Sequence, residues 1–253
     1  MATVVITGAS KGIGRAAALH LDSKGFTVLA GVRNQADGEA LQRASSSRLQ
    51  PIIVDIINTE QVAQLGETVR QLVGQNGLDG LVNNAGIAVA APLEFLPMDE
   101  FRRQIDVNLT GHLAVTQTLL PYIRQAKGRI INISSVGGRI AGPMLGAYHA
   151  SKFAMEGLTD SLRQELARWE IKVISIEPGA IATPIWESGS NTAERLMSQM
   201  PAQAQEYYGK AIAGARAFAA KASTSGLPPE RVAEIIAQAL TAPKPRTRYA
   251  VGT

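Results

Sequence analysis

Short runs of apolar residues recur along the chain, and they are nearly continuous rather than alternating with polar residues. Six such runs cover residues 3–6, 27–30, 51–54, 80–82, 129–133 and 172–176. A continuous apolar run of this length is typical of a strand buried on both faces. The pattern therefore predicts six buried strands, and residues 248–251 could form a seventh.

Segments with helical periodicity separate these runs. They cover residues 13–23, 60–73, 98–123 and 148–168, and a last one at 228–240 is opened by two prolines. Strands and helices that alternate with short joins indicate βαβ units, whose right-handed crossovers place helices on both faces of a parallel sheet. We predict an α/β fold: a single doubly wound Rossmann domain over residues 1–253, with a mostly parallel seven-stranded sheet.

Residues 183–228 interrupt this alternation. They show no strand pattern and are rich in Ala, Gln, Met and Ser, with aromatic residues such as Trp186 between them. A long insert late in an α/β chain favours a lid or substrate-binding segment. The alternative is a pair of helices that packs in an oligomer.

Composition and charge exclude several classes of function. The chain has 253 residues, 45% hydrophobic and 18% charged, which is ordinary for a globular protein. The net charge is +4, but the basic residues are scattered, so we expect no nucleic-acid partner. There is no cysteine, and His20, His112 and His149 lack metal-ligand spacing, so we expect no metal site. Without a signal peptide or an apolar run of membrane-spanning length, we expect no membrane span and a cytoplasmic location.

A glycine-rich turn follows the first predicted strand. It reads Thr7-Gly8-Ala9-Ser10-Lys11-Gly12-Ile13-Gly14 and leads directly into a helix. Backbone N–H groups at such a helix start can face a pyrophosphate. The turn predicts a dinucleotide site, and the alternative is a tight strand-to-helix turn without a ligand.

The ends of the next two strands bear on the choice of dinucleotide. The second strand leads into Arg33 and Asn34 with no carboxylate at its end, and Lys11 adds positive charge in the glycine turn. An acidic residue there would suit NAD, whereas a guanidinium suits the 2′-phosphate of NADPH. We predict NADP(H), unless Arg33 is only a solvated loop residue. Asp55 is placed to reach the adenine, or it could cap the helix that starts near Thr59.

Tyr148 and Lys152 are four residues apart, and Ser135 lies thirteen residues before Tyr148. Four residues place both side chains on one helix face. An ammonium nearby would pull the tyrosine pKa down towards working pH, and a serine hydroxyl can donate to a carbonyl oxygen. The trio could move a proton on or off a carbinol oxygen. Taken alone, the pair could also be a chance feature of a surface helix.

Taken together and in this order, these motifs resemble the short-chain dehydrogenase/reductase family over nearly the whole chain. The glycine turn fits, and so do Asn83-Asn84-Ala85-Gly86, Asn108, Ser135, Tyr148 with Lys152, and Pro178-Gly179 followed by Ile181 and Thr183. Ser134 is a rival to Ser135, but the interval to Tyr148 favours Ser135. Residues 93–186 are similar to family members that act on retinoids, steroids and hydroxybutyrate, and to bacterial carbonyl reductases.

The resemblance implies a role for each motif. Tyr148 would be the general acid/base, Ser135 would polarise the carbonyl, Lys152 would lower the tyrosine pKa and bind the ribose, and Asn108 would hold a relay water. The predicted cofactor contacts are Gly8, Ser10, Lys11, Gly12, Ile13, Gly14, Arg33, Asn34, Asp55, Ile56, Asn84, Ala85, Gly86, Tyr148, Lys152, Pro178, Gly179, Ile181 and Thr183.

The predicted substrate pocket is apolar. Residues 136–147 form its first wall, apolar apart from Arg139, and the predicted substrate contacts are Val136, Gly137, Met144, Leu145 and Trp186. Such a pocket suits hydrophobic carbonyl compounds. The leading prediction is an NADPH-dependent reductase of apolar ketones or aldehydes, working in either direction. The alternatives are a retinol/steroid-type or 3-hydroxybutyrate-type dehydrogenase and, more remotely, a non-catalytic dinucleotide sensor. The resemblance also implies a homotetramer or homodimer, packed through the helices that begin near Met98 and Tyr148.

Overall fold

Seven strands form one sheet in the order β3-β2-β1-β4-β5-β6-β7, and every neighbouring pair is parallel. The strands are β1 (Thr3–Ile6), β2 (Thr27–Val32), β3 (Leu49–Ile53), β4 (Gly80–Asn83), β5 (Arg129–Ile133), β6 (Lys172–Pro178) and β7 (Arg248–Val251). The computed structural model describes residues 2–252. The predicted doubly wound, seven-stranded Rossmann sheet is confirmed, and it is wholly rather than mostly parallel.

Helices cover both faces of the sheet. Within residues 2–252 they are α1 (Gly12–Ser23), α2 (Gln35–Arg43), α3 (Thr59–Val73), α4 (Met98–Ile105), α5 (Gly111–Ala126), α6 (Gly146–Leu166), α7 (Ile185–Gln199), α8 (Ala202–Ser225) and α9 (Pro229–Thr241). Successive residues of β1 point to opposite faces: Val4 and Ile6 pack with α1 and α9, while Val5 packs with α3, α5 and α6. Both faces are therefore buried, which is why the strands read as continuous apolar runs.

Three helical regions differ from the sequence-based prediction. Helix α2 was not predicted, because only Gly38 and Leu41 of its residues are buried and its apolar periodicity is weak. The helix predicted over residues 98–123 is divided by a π-helical turn, Asp106–Thr110. Segment 183–228 contains the two helices α7 and α8.

A buried network of polar side chains runs over β4 and β5 on one face of the sheet and joins α5 to α6. The Asn83 amide donates to the Thr116 hydroxyl (3.0 Å) and to the Asn132 amide oxygen (2.9 Å), and Asn132 donates to the Thr159 hydroxyl (2.8 Å). All four side chains are at most 2% exposed. Because a buried polar group without a partner is costly, these hydrogen bonds favour the observed arrangement of β4, β5 and the two helices, although the Asn83 amide oxygen has no partner within residues 2–252.

Removing the central amide of this network should destabilise the fold. We expect Asn132→Ala to lower the free energy of unfolding by about 2–4 kcal/mol, because a cavity forms and Asn83 and Thr159 each lose a partner. Urea unfolding followed by circular dichroism measures the change. Asn76→Ala, the same deletion at an exposed site, should stay within about 0.5 kcal/mol of the parent protein. Equal effects of the two substitutions would contradict a structural role for the network.

Candidate active site

The predicted site residues gather at the carboxyl edge of the sheet. The glycine turn follows β1, Asn84 follows β4, Ser135 follows β5 and Gly179 follows β6. Strand β1 lies between β2 and β4, so the direction of winding changes between β1 and β4. Ligands of doubly wound sheets bind in the crevice at this switch point.

The glycine turn has a shape that side chains would prevent. Gly8 and Gly12 have φ values of +67° and +56°, in the left-handed region. A Cβ atom on Gly14 would lie 2.2 Å from the Gly8 carbonyl oxygen. The turn therefore folds back closely on the first turn of α1.

The segment after β4 is fixed to this turn. The Asn84 amide donates to the carbonyl oxygens of Thr7 (2.9 Å) and Gly8 (3.0 Å), and the Thr7 hydroxyl accepts from the Ala85 N–H (3.1 Å). A Cβ atom on Gly8 would lie 2.7 Å from the Ala85 Cα atom. The two predicted cofactor motifs are thus one packed unit, and the neighbouring Gly86 is exposed.

The start of α1 fits a phosphate group. Its N-cap residue, Lys11, makes no side-chain cap, and within residues 2–252 the N–H groups of Gly12 and Ile13 have no hydrogen-bond partner. Unpaired N–H groups at a helix start attract anions. The residues present therefore fit the pyrophosphate of a dinucleotide, with Ser10 half-buried beside them.

The strand-end residues have distinct surroundings. Arg33 is exposed and makes no hydrogen bond or ion pair within the described part of the chain. Asn34 is the N-cap of α2, accepting from the Asp37 N–H at 2.9 Å. Asp55 accepts from the Ile57 N–H (3.2 Å), and the N-cap of α3 is Asn58, so the idea that Asp55 caps that helix is wrong.

Ile56 is buried and stands against the start of α5. A Cβ atom on Gly111 would lie 2.9 Å from both the carbonyl oxygen and the Cγ1 atom of Ile56. Ile56 is therefore held close to the helix that follows Asn108.

Tyr148 and Lys152 lie one turn apart on α6, facing the end of β5. The Lys152 ammonium is 5.8 Å from the centre of the Tyr148 ring and donates to the Ile133 carbonyl oxygen (2.8 Å). Lys152 is only 5% exposed. The structure therefore holds a buried cation beside the phenol.

Ser135, rather than its neighbour Ser134, meets Tyr148. The Ser135 hydroxyl accepts from the Gly137 N–H (3.0 Å) and donates to the Pro178 carbonyl oxygen (3.3 Å), and it is close enough to Tyr148 to lower the pKa of the phenol. The Ser134 hydroxyl is buried without a partner in the described part of the chain. The geometry thus agrees with the choice that the spacing favoured.

Burial acts on the pKa of both groups. Burial raises the pKa of Tyr148 above its usual value, and the Ser135 hydrogen bond offsets this only in part. Burial lowers the pKa of Lys152 to about 8, and the Glu156 carboxylate opposes that effect. The predicted net fall in the Tyr148 pKa is therefore not found in this structure, because desolvation of the phenol outweighs any stabilisation of the phenolate by the Lys152 ammonium.

Asn108 lies in the π-helical turn and is fully buried. Its amide oxygen accepts from the Ile87 N–H (2.9 Å), and its NH2 group donates to the Ile87 carbonyl oxygen (3.0 Å) and the Ser151 hydroxyl (3.1 Å). Both amide N–H groups and one lone pair of the amide oxygen are thus used in joining α6 to the segment after β4. The role of Asn108 in holding a relay water near Lys152 stays a prediction.

His112 belongs to this site, although the sequence analysis gave it no role. It lies one turn after Asn108, is 1% exposed, and contacts the Ala85 carbonyl oxygen through Nε2 at 2.7 Å. Burial, together with the Lys152 charge, lowers the pKa of His112 to about 3. Its helical spacing from Asn108 was the signal that could have identified it.

The predicted nicotinamide segment continues from β6 over the glycine turn. Gly179 packs so closely against β7 that a Cβ atom would lie 2.2 Å from the Gly252 carbonyl oxygen. A Cβ atom on Gly12 would lie 3.2 Å from the Thr183 side chain, so Thr183 stands directly over the turn. Ile181 is buried, and its backbone carbonyl oxygen accepts a hydrogen bond from the Trp186 indole N–H at 2.7 Å.

The predicted substrate wall begins at Val136 and packs on the catalytic helix. A Cβ atom on Gly137 would lie 3.3 Å from the Tyr148 ring and 2.8 Å from His149 Nδ1. Met144 is buried and has a φ of +72°, a left-handed conformation that costs a non-glycine residue energy. Its carbonyl oxygen accepts from the Ala91 N–H at 2.8 Å, and Leu145 follows it at the start of α6.

Helices α7 and α8 close over the segment that follows β4. Arg195 pairs with Glu100, and the Tyr208 hydroxyl donates to Glu94 at 2.7 Å. Leu196 packs with Val89 and Ala147 in a separate small apolar cluster. Trp186 stacks edge-to-face on Phe218 at 5.5 Å. Segment 183–228 therefore covers the side of the site where the predicted substrate wall lies.

A comparison with known proteins identifies the family. The sequence profile described as "short chain dehydrogenase" matches residues 2–194. The chain belongs to the short-chain dehydrogenase family. It is 41% identical to retinol dehydrogenase 5 of Mus musculus over 99% of this chain and 80% of that protein. It is 38% identical to 17-beta-hydroxysteroid dehydrogenase type 6 of Bos taurus, over 98% of this chain and 80% of the relative.

Solved structures agree with this assignment. A short-chain dehydrogenase from Streptomyces avermitilis superposes with a TM-score of 0.82 at 30% identity, covering 100% of this chain and 89% of its own. A short-chain dehydrogenase from Burkholderia cenocepacia in complex with NADP gives a TM-score of 0.75 at 26% identity, covering 100% and 88%. The fold and the oxidoreductase class predicted from the sequence are thereby confirmed. None of the helices within residues 2–252 has the length and apolar character needed to span a membrane.

The buried histidine should make the protein sensitive to acid. The pKa of His112 is about 3 in the folded state and 6.5 as a free side chain, so the unfolded state binds more protons between these pH values. Stability should fall as pH drops from 6.5 to 3. We expect His112→Gln, which keeps a donor for Ala85, to lose less stability over this range, measured by urea unfolding at several pH values. His20→Gln, on a partly exposed surface of α1, should keep the parent profile, and a parent-like profile for His112→Gln would contradict the assignment.

Proposed function

We propose that this chain is an NADPH-dependent oxidoreductase that interconverts an apolar ketone or aldehyde and the corresponding alcohol. The observation that supports it most is the buried Lys152 ammonium, 5.8 Å from the centre of the Tyr148 ring, with Ser135 beside the phenol at the end of β5. This group stands at the same sheet edge as the glycine turn. With Asn108, Ser135, Tyr148 and Lys152 all present, a non-catalytic sensor is the weaker candidate.

The residues divide the proton chemistry between them. When bound, the nicotinamide supplies or accepts a hydride at C4. In reduction, Ser135 donates a hydrogen bond to the carbonyl oxygen, and Tyr148 gives its phenolic proton to that oxygen as negative charge develops. The raised pKa of Tyr148 keeps the phenol protonated for this step. Lys152 stabilises the phenolate left behind and holds the nicotinamide ribose.

The preference for NADPH rests on charge. Arg33 is exposed at the end of β2 with no partner in the described part of the chain, and is thus free to bind a 2′-phosphate. Lys11 lies in the adjacent glycine turn, where its ammonium donates to the Ser188 hydroxyl at 3.3 Å and has no carboxylate partner among residues 2–252. The residues at the end of β2 are Val32, Arg33 and Asn34, so no carboxylate stands there to receive the ribose hydroxyls of NAD.

Apolar compounds are the proposed substrate class, and segment 183–228 is the proposed lid of the single domain. Val136, Met144, Leu145 and Trp186 supply apolar surface. The one cation of the wall, Arg139, binds Glu177 at 2.9 Å and is not free for a substrate carboxylate. This disfavours a 3-hydroxybutyrate-type substrate.

Similarity to retinol and 17-beta-hydroxysteroid dehydrogenases favours a second candidate function, the oxidation of a retinoid- or steroid-type alcohol.

The proposed assembly is a homodimer or homotetramer through α4 and α6. Met98 and Phe153 on these helices are 57% and 45% exposed, so both present apolar surface. A cytoplasmic location stays a prediction.

Loss of the phenol should abolish turnover but not cofactor binding. We expect Tyr148→Phe to lower kcat by about 10²- to 10⁴-fold because the phenol is the proposed proton donor to the substrate oxygen. NADPH oxidation with an aryl ketone, retinal and a steroid ketone measures this, and fluorescence titration measures NADPH binding. Tyr207→Phe, the same change at an exposed position of α8, should behave as the parent. Near-parental turnover by Tyr148→Phe would disprove the proposed chemistry.

Arg33 should set the cofactor preference. We expect Arg33→Ser to raise KM for NADPH at least about tenfold, through loss of a charge-assisted hydrogen bond, and to leave KM for NADH nearly unchanged. Initial rates with each cofactor give the two values. Arg43→Ser, at an exposed position of α2, is the control. If KM rose equally for both cofactors, the 2′-phosphate would not be what Arg33 binds.

A further inference from the structure

A buried carboxylate that the proposed mechanism does not use lies one turn beyond the catalytic lysine. Tyr148, Lys152 and Glu156 follow one another at four-residue intervals on α6, and therefore share a face of that helix. Glu156 is 6% exposed. A carboxylate this deeply buried needs a specific reason and specific partners.

Glu156 has partners on three other elements. One oxygen accepts from the Ser175 hydroxyl of β6 (2.5 Å), and the other accepts from Arg248 Nε of β7 (3.1 Å) and lies 3.6 Å from Arg139 Nη2. These contacts satisfy both oxygens. The carboxylate is therefore fixed in place one helical turn from Lys152.

The partners belong to a larger cluster of opposite charges. Glu177 binds the guanidinium groups of Arg139 (2.9 Å) and Arg248 (3.4 Å), and Asp160 binds those of Arg248 (2.5 Å) and Arg163. We call these six residues the carboxylate–arginine cluster; its members are Glu156, Asp160, Glu177, Arg139, Arg163 and Arg248. Three negative and three positive charges balance within it.

The cluster also fixes the substrate wall to the catalytic helix. A Cβ atom on Gly138 would lie 2.9 Å from the Lys152 carbonyl oxygen and 3.2 Å from Glu156 Cγ. The turn Val136–Gly138 therefore packs directly on the stretch of α6 between Lys152 and Glu156. Arg139 follows this turn, and its guanidinium group forms ion pairs with the carboxylates of Glu156 and Glu177.

The groups that face Lys152 are few. Among residues 2–252, helix α6 presents Tyr148 and Glu156, α5 presents the neutral His112, and β5 presents the Ile133 carbonyl oxygen. Burial lowers the pKa of Lys152 to about 8, and the Glu156 charge raises it against that effect. Without Glu156, the ammonium would lose its proton closer to neutral pH.

We propose that Glu156 is a positioning residue that keeps Lys152 protonated, with the carboxylate–arginine cluster holding it in place. The proposal rests on the proposed function only through the role of the Lys152 ammonium in stabilising the Tyr148 phenolate. It assigns a task in the reaction to a residue that touches neither substrate nor cofactor.

The pH profile of carbonyl reduction tests this role. We expect Glu156→Gln, which keeps the size of the side chain, to move the alkaline fall in kcat/KM to lower pH by about one unit. At pH values above the shifted fall, kcat/KM of Glu156→Gln would be about tenfold below the parent value. At pH values below the fall, its KM for NADPH would change little. Glu177→Gln is the matched control, because it removes the same charge from the same arginines but lies on β6. In Glu177→Gln, kcat/KM should fall at the same alkaline pH as in the parent protein.

Glu156→Asp separates charge from packing. It keeps the negative charge but shortens the reach to Ser175, so we expect an alkaline fall close to that of the parent. An aspartate variant that shifts as far as the glutamine variant would overturn the proposal, and so would a glutamine variant with the parental profile. If Glu156→Gln did not fold, the double variant Glu156→Gln, Arg139→Gln keeps the cluster balanced. The alkaline fall in kcat/KM of this double variant should move to lower pH, but by less than about one unit.

A second readout does not depend on activity. Because the folded state depresses the pKa of Lys152, the unfolded state binds more protons above about pH 8, and this lysine makes stability rise with pH there. The contribution of Lys152 to this rise in the free energy of unfolding is obtained by comparing each variant with the same variant carrying Lys152→Met. The rise should begin at a pH about one unit lower in Glu156→Gln than in Glu177→Gln. Coincident curves would overturn the role of Glu156, whereas a parent protein that turns over no carbonyl compound would overturn only the proposed function.

Discussion

The hydrogen-bonded chain through Asn83 and Asn132 is the constraint on which the rest of the site depends. It joins β4 and β5 to α5 and α6, so the two helices cannot slide relative to the strands without leaving buried amides unpaired. The segment after β4 meets the glycine turn, β5 ends at Ser135, and α6 bears Tyr148 and Lys152. One polar network inside the sheet thus fixes the cofactor side and the proton-transfer side in a single geometry.

Much of this architecture could be predicted, because strands buried on both faces leave a continuous apolar signal and the glycines mark the turn after β1. The predicted site residues come from separate parts of the sequence and do gather at one edge of the sheet. The π-helical turn at Asn108 could not be foreseen, since one extra residue in a turn hardly changes the periodicity of a long helix. Helix α2 was missed because its surface position gives it almost no apolar face.

The electrostatics of the site were the least accessible to sequence reasoning. Spacing places Lys152 beside Tyr148, but it does not show how deeply either group is buried, and burial decides the direction of both pKa shifts. Residue spacing likewise could not show that the Asn108 amide forms hydrogen bonds with Ile87 and Ser151, or that Arg139 forms an ion pair with Glu177. Sequence motifs identified which groups meet; desolvation and competing partners set what those groups can do.

The polar network over β4 and β5 also has a consequence for biosynthesis. Asn83 is made well before Asn132 and Thr159, the residues that complete its network. At about 5–20 residues per second, a ribosome needs several seconds to deliver the missing partners. During that interval the apolar strands β1 to β4 exist without α5 and α6 to cover one face, and they can pair with other chains. Aggregation of the incomplete chain during translation is therefore a hazard of this fold.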